Sequence, residues 1–234
     1  MQKGKLYLIP VTLGNDNLRQ TLPEPVFDII NKIDYYIVEN IKTAAGFLKS
    51  AGIKKRLQEL TFNILNVDTK EGEITGFLEP AEVGQNIGLL SEAGVPCVAD
   101  PGSMIVSLAH EKGIQIVPLT GSSSIILALM ASGMNGQNFA FNGYLPIDNI
   151  ERKNRLKELE RKIKSDNQTQ IFIEAPHRND RLFEAMMECS ENLRLCIAKN
   201  LTMDDELIIS KKISAWKKSK ITIGKNPAIF IIGK

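Results

Sequence analysis

Short apolar runs recur along the chain, and between them the apolar positions switch to helical spacing. In the first half, residues 5–9, 35–39, 87–90 and 114–117 read as strands, and residues 60–67 as a further one that Asn63 and Asn66 weaken. Behind Pro23 and Pro25, the residues Val26, Ile29, Ile30 and Ile33 fall at i, i+3, i+4 and i+7, the spacing of one helix face. Further helices are predicted up to Ser50, stopping at Ala51-Gly52, then from about residue 72 to 83, and from 103 to 112, closed by Gly113. Strands alternating with helices imply a mainly parallel sheet with right-handed crossovers.

The rhythm breaks at residues 118–124, where three consecutive serines precede an apolar helix over 125–131 that ends at Ser132-Gly133. The domain boundary is placed here, giving an N-terminal α/β domain, residues 1–119, and a C-terminal mixed α/β domain, residues 120–234. In the second block a strand over 139–144 precedes a charged helix over 150–164 whose apolar stripe is Leu156, Leu159 and Ile163. A strand over 170–174, a loop over 175–178 and a helix over 180–189 follow, then strands over 193–198, 206–210 and 228–232. Adjacent strands without long helices between them point to antiparallel pairs.

Composition changes this picture little. The chain of 234 residues is 43% hydrophobic and 24% charged, a soluble globular balance. Its longest apolar run, residues 125–131, is far short of the roughly 20 residues that span a bilayer. The N-terminus leads into a strand with no signal-peptide pattern, so the expectation is a cytoplasmic protein that meets no membrane. Cys97, Cys189 and Cys196 form no CxxC pair and histidines number two, so no metal site is expected. The net charge of +2 names no partner, although basic residues cluster from Arg152 to Lys164 and from Lys211 to Lys220. A solvated helix face and surface strand is the commoner meaning of such runs; an electrostatic track for a phosphate backbone is the sharper one.

The stretch with most chemical content is residues 87–104. A short apolar run becomes glycines, prolines and small residues, and ends at Ser103, which can cap a helix. A buried strand opening into such a loop before a helix is where open α/β sheets bind ligands, through backbone groups that small side chains leave accessible. The dinucleotide GxGxxG, the phosphate-binding GxxxxGK[ST] and the GxSxG nucleophile turn are all absent. Glu92, Asp100 and Glu174 stand near glycine or proline at strand ends, where catalytic carboxylates lie but turn-forming and capping ones are commoner. His177 and Arg178 follow Glu174 closely, in an order that fits either function or a structural salt bridge.

The succession Leu6-Tyr7-Leu8-Ile9-Pro10, Leu90-Ser91-Glu92-Ala93-Gly94-Val95-Pro96 with Asp100-Pro101-Gly102, Val117-Pro118-Leu119-Thr120-Gly121-Ser122-Ser123-Ser124, Phe141-Asn142-Gly143-Tyr144-Leu145-Pro146 and Glu174-Ala175-Pro176-His177-Arg178 resembles the tetrapyrrole methylase superfamily. More narrowly it is similar to the branch that 2′-O-methylates a cytidine of 16S ribosomal RNA. The resemblance implies a two-domain α/β methyltransferase with an N-terminal mainly parallel sheet and a C-terminal mixed sheet. It also implies S-adenosylmethionine bound in the cleft between them, homodimerisation, and RNA in the 30S subunit as partner. By motif, Pro10 lies in the first cofactor loop, and Ser91, Gly94, Val95, Val98 and Asp100 in the second, with Val95 where many relatives carry Asp. Ser124 and Ile125 match a pair at the methionine part, and Glu174, Lys199 and Ala228 match segments around the adenine.

The chain departs from the branch where Glu-Asp-Thr-Arg is usual and positions 39–42 read Glu39-Asn40-Ile41-Lys42. It departs again in the first loop, which reads Val11-Thr12-Leu13-Gly14-Asn15-Asp16, and in ending at Lys234 without the basic extension. These places are expected to face substrate, with Asn15, Lys42 and Arg178 as substrate contacts. Glu39, Glu92 and His177 are the candidates for a general base. A tetrapyrrole or other small-molecule acceptor, or a non-catalytic cofactor- and RNA-binding role, is the alternative function.

Overall fold

The computed structural model describes residues 2–14, 17–66, 69, 71–219 and 221–234. It divides into two compact units, Met1–Ser123 and Ser124–Lys234.

The first unit is built on five strands, β1 (Lys5–Ile9), β2 (Tyr35–Val38), β3 (Thr61–Ile64), β4 (Ile87–Leu90) and β5 (Gln115–Pro118). They lie in the order β3-β2-β4-β1-β5, and every pairing is parallel. Its helices are α1 (Leu18–Thr21), α2 (Glu24–Ile30), α3 (Ile41–Ser50), α4 (Glu71–Ile74), α5 (Glu79–Glu82) and α6 (Ser103–Glu111).

Alternation along the strands sorts the core into two layers. Ile9, Tyr36, Val38 and Leu90 face α1, α2 and α3, burying Leu18, Val26, Phe27, Ile30 and Leu48 against them. Leu6, Ile37, Ile87 and Leu89 face the opposite way, onto Ile74, Leu78, Ala81, Ile105 and Ala109 of the later helices. The helices that follow β1 and β2 therefore cover one face, and those that follow β3 and β4 cover the other. β1 and β4 are neighbours whose outgoing connections part to opposite faces, which opens a crevice beyond their carboxyl ends. All four residues of β4 are buried, as its uninterrupted apolar run predicts. A Cβ on Gly88 would stand 2.7 Å from Ile9 Cδ1 and 3.0 Å from the Tyr36 ring, so only glycine lets that ring cross the strand. The Tyr36 hydroxyl then donates to the Ile30 carbonyl at 2.8 Å, tying β2 to the end of α2.

Two local expectations need correction. The helix expected over 72–83 is broken into α4, a 3₁₀ turn (Thr75–Leu78) and α5. Gly72 and Gly76 each weaken a helix by about 1 kcal/mol, and Pro80 starts a new turn rather than continuing the old one. The buried stripe survives, because Ile74, Leu78 and Ala81 still reach the core. Ser103 does not cap α6: Gly102 takes the cap position and Ser103 is the first helical residue. A Cβ at Gly102 would lie 2.8 Å from both Cys97 Sγ and Leu89 Cδ2, so packing of the preceding loop, rather than a side-chain cap, sets where α6 begins.

The second unit contains α7 (Ser124–Ser132), β6 (Phe139–Tyr144), α8 (Asn149–Asp166), β7 (Thr169–Ile173), α9 (Asn179–Met186), β8 (Arg194–Lys199), β9 (Leu207–Lys212), α10 (Ile213–Trp216) and β10 (Ala228–Gly233). The sheet order is β6-β7-β10-β8-β9, parallel between β6 and β7 and antiparallel elsewhere. The last strand in sequence is therefore the buried centre of the sheet. Leu156, Leu159 and Ile163 of α8 pack with Phe172, Phe230 and Trp216, and the indole N–H donates to the Leu195 carbonyl at 2.8 Å. Asp148 caps α8, accepting from the amides of Ile150 and Glu151 at 2.8 and 3.0 Å. Among the described residues no helix is long and apolar enough to cross a membrane.

Candidate active site

In the first unit three loops converge at the carboxyl end of the sheet. The Val11 amide donates to the Gly94 carbonyl at 2.8 Å and the Gly94 amide to the Thr12 carbonyl at 3.4 Å, which carries the β1–β4 ladder past the strands. The Ser91 hydroxyl closes the turn by donating to the same Gly94 carbonyl at 3.2 Å. Gly94 holds φ +74°, and a Cβ there would press on Leu13 at 3.1 Å and on the Ser122 carbonyl at 3.2 Å. The third loop fits as closely, since Pro10 fills the space a Cβ on Gly121 would need, 2.2 Å from the proline Cβ. Pro10, Ser91 and Gly94 are thus buried parts of the scaffold, whereas Val95 is half-buried and Val98 is 48% exposed.

Between Pro96 and Pro101 the backbone is strained. Cys97 and Ala99 take φ of 68° and 61°, conformations costly for residues with a Cβ. Burial, followed by the charge of Asp100, pushes the Cys97 thiol up to about 11, so it stays a thiol and packs against Gly102.

Parallel pairing of β2 with β4, Ile37 opposite Leu89, sets the residues after these strands side by side. Glu39, Glu92 and Asp100 meet there. Asp100 is hydrogen-bonded to Glu39, in a small cavity walled by Val38, Leu65, Leu89 and Pro96. Burial, then that hydrogen bond, then the charges of Glu39 and Glu92 raise Asp100 from 3.8 to about 8. At neutral pH Asp100 therefore keeps its proton and donates it toward Glu39. Glu92 is exposed, and its Oε1 accepts from the Thr43 hydroxyl at 2.6 Å. Among the described residues no three acidic, histidine or cysteine side chains are grouped so as to hold a metal ion.

Asn40 caps α3, accepting from the amides of Lys42 and Thr43 at 2.8 and 3.4 Å. Asparagine and aspartate cap equally well, so the departure at position 40 keeps the local fold. Lys42 and Ile41 are exposed in the first turn of α3. Asn15 lies outside the described residues.

In the second unit, register places Glu174, Ala228 and Lys199 at one end of the sheet: Ile173 opposes Ile229, and Ala228 opposes Lys199. Glu174 is 8% exposed, and its Oε1 accepts from the Ala175 amide at 2.7 Å and from Arg178 Nε and Nη2 at 2.9 and 2.5 Å. The guanidinium of Arg178 is thus engaged by its own strand-end carboxylate. His177 is exposed on the 3₁₀ turn Pro176–Arg178, and Ser124 and Ile125 open α7, half-buried and buried respectively.

Several residues of the basic runs are ion-paired. Lys153 pairs with Glu188, Arg155 with Glu158, Lys164 with Glu160 and Lys217 with Glu191, at 2.6–2.7 Å. Lys211 lies over the Trp216 ring at 5.1 Å, Arg152 is buried against the Ile147 carbonyl at 3.0 Å, and Lys220 is outside the described residues. The ion-paired, solvated face is the reading these contacts favour.

A two-unit α/β chain with its small-residue loops at the carboxyl end of a parallel sheet has known counterparts. The sequence pattern of the family described as Tetrapyrrole (Corrin/Porphyrin) Methylases matches residues 36–216, and the chain belongs to that family. Among relatives, the ribosomal RNA small subunit methyltransferase I of Bacillus subtilis (strain 168) is 32% identical over 211 residues, 90% of this chain and 68% of the relative. That of Haemophilus influenzae is 30% identical over 211 residues, covering 90% and 70%, and that of Escherichia coli O157:H7 is 29% identical over 234 residues, covering 98% and 78%. The chain belongs with these proteins, and it is a methyltransferase. Among solved structures it is similar to the methyltransferase CobJ, with TM-score 0.65 and 18% identity over 99% of this chain and 94% of the other. Diphthine synthase also gives 0.65, with 15% identity over 98% and 89%. At those identities the likeness is one of fold.

The pattern of the sequence missed Thr43. Its role rests on one contact to a residue 49 positions away, which only the adjacency of β2 and β4 brings about.

Proposed function

We propose that the chain methylates a ribose 2′-hydroxyl of small-subunit ribosomal RNA, taking the methyl group from S-adenosylmethionine. The names of the relatives support the substrate class, and the meeting of Glu39, Glu92 and Asp100 beside the loop at 91–102 carries the chemistry. The residues fit such a donor. Small side chains from Ala93 to Ala99 leave room for it, and clustered carboxylates give a negative potential that suits a sulfonium cation. When bound, the donor supplies an electrophilic methyl group. The protein must align the acceptor oxygen and take up its proton.

Asp100 already holds a proton and directs it to Glu39, which leaves Glu92, held through one oxygen by Thr43, as the base. The hydrogen bond of Asp100 to Glu39 ties the loop after β4 to the end of β2. The test is incubation of the chain with labelled S-adenosylmethionine and 30S subunits lacking the modification, followed by mapping of the labelled nucleotide. Labelled ribose in 16S RNA is expected, with Glu92→Gln slowed about 100-fold or more, the scale of general-base catalysis. No label in RNA, or a fully active Glu92→Gln, refutes the reading.

A further inference from the structure

Glu92 is an exposed side chain on a loop of small residues, beside two other carboxyl groups, and nothing about its own position explains why it would stay near them. A glutamate loses rotamer freedom when fixed, and an exposed carboxylate is drawn toward water. Among the described residues, the hydrogen bond that restrains it comes from another element. Thr43 stands in the first turn of α3, oriented by the Asn40 cap, and its Oγ1 lies 2.6 Å from Glu92 Oε1 and 3.0 Å from the Asn40 carbonyl. The hydroxyl has one proton to give. The shorter contact is to the carboxylate, and a charged acceptor makes the stronger bond.

We propose that Thr43 is a positioning residue for methyl transfer, holding Glu92 by one oxygen so that the other faces the acceptor hydroxyl. The inference rests on the functional reading above, in which Glu92 is the base. In the step it serves, the acceptor oxygen gains the methyl group and gives its proton to the Glu92 oxygen that Thr43 leaves free. The electron pair of the broken carbon–sulfur bond stays with sulfur, and no oxidant or reductant is needed. Because α3 follows β2 and Glu92 follows β4, the hydrogen bond also fixes the register of the two strand ends on which the three carboxylates stand.

The experiment compares wild type, Thr43→Val and Thr43→Ser on 30S subunits with labelled S-adenosylmethionine. Val keeps the branched shape and removes the hydroxyl; Ser keeps the hydroxyl. Thr43→Val is expected to lower kcat roughly 10- to 100-fold, the cost of a misplaced catalytic group. Calorimetric affinity for S-adenosylmethionine and the thermal midpoint should stay near wild type, and Thr43→Ser should recover most of the rate. The loss should fall on kcat, with KM for 30S subunits near wild type, because Thr43 orients Glu92 and does not itself bind the substrate. A Thr43→Val enzyme with wild-type kcat overturns the inference, as does a Thr43→Ser enzyme as slow as Thr43→Val, or a Thr43→Val whose loss lies in KM alone. A wild-type chain that labels no RNA overturns the functional reading and this inference with it. A labelling wild type beside an unaffected Thr43→Val overturns the inference alone.

Discussion

Asp100→Asn should stabilise the protein at pH 8 while lowering its activity. In the folded chain Asp100 keeps its proton to about pH 8, whereas in the unfolded chain it ionises near 3.8. Below both values the two states hold the proton alike and there is no penalty. As pH rises from about 4 to 8 the unfolded chain releases the proton first, so the wild type loses stability across that window and no further above it. Each pH unit is worth about 1.4 kcal/mol, so the interval sets a ceiling of about 6 kcal/mol. Solvent screening at this half-buried group brings the realistic figure to roughly 1–2 kcal/mol. Asparagine cannot ionise, and its amide can still donate to Glu39. Thermal melts of both forms from pH 4 to pH 9 should coincide at the acid end. They should separate by roughly 3–8 °C in favour of Asp100→Asn at pH 8. Equal midpoints at pH 8, or a gap that does not change with pH, would show that the Asp100 proton is not held as described.

Two further substitutions test the scaffold. Gly121→Ala sets a methyl group 2.2 Å from Pro10 Cβ and 2.5 Å from its Cγ, ring atoms that cannot swing aside. It should cost about 2–3 kcal/mol by chemical denaturation and weaken S-adenosylmethionine binding by calorimetry; wild-type values in both would remove the tight loop contact. Arg178→Ala strips the buried Glu174 carboxylate of its guanidinium, for a loss of about 3 kcal/mol in urea unfolding. Glu174→Gln should lose less, because the charge left without its partner is that of Arg178, which is better exposed to water than Glu174.

Much of the fold was legible because burial on both faces leaves an uninterrupted apolar run. Residues 87–90 are a fully buried strand in the structure with the bounds their pattern predicts. Residues 72–83 misled because their apolar stripe is real while Gly72, Gly76 and Pro80 break the backbone beneath it. Ser103 misled because a good capping residue beside a helix is not a cap unless the loop delivers it there. At the site, Glu39, Glu92 and Asp100 could be singled out one by one from their places at strand ends. That they meet depends on β4 lying between β1 and β2, which no spacing along the chain encodes. Glu174 and Arg178, four residues apart, carried the opposite ambiguity: the motif pointed to function, and the structure shows them paired with each other.

The hydrogen bonds that join the first loop to Gly94 have a consequence for affinity. A free loop would surrender about 1–2 kcal/mol of backbone freedom for each residue it orders around a ligand. Here Val11, Thr12 and Gly94 are fixed on folding, by amides and carbonyls that need nothing from outside the chain. A small molecule meeting these loops finds them already in place, so its contacts are free to favour binding instead of offsetting an ordering cost.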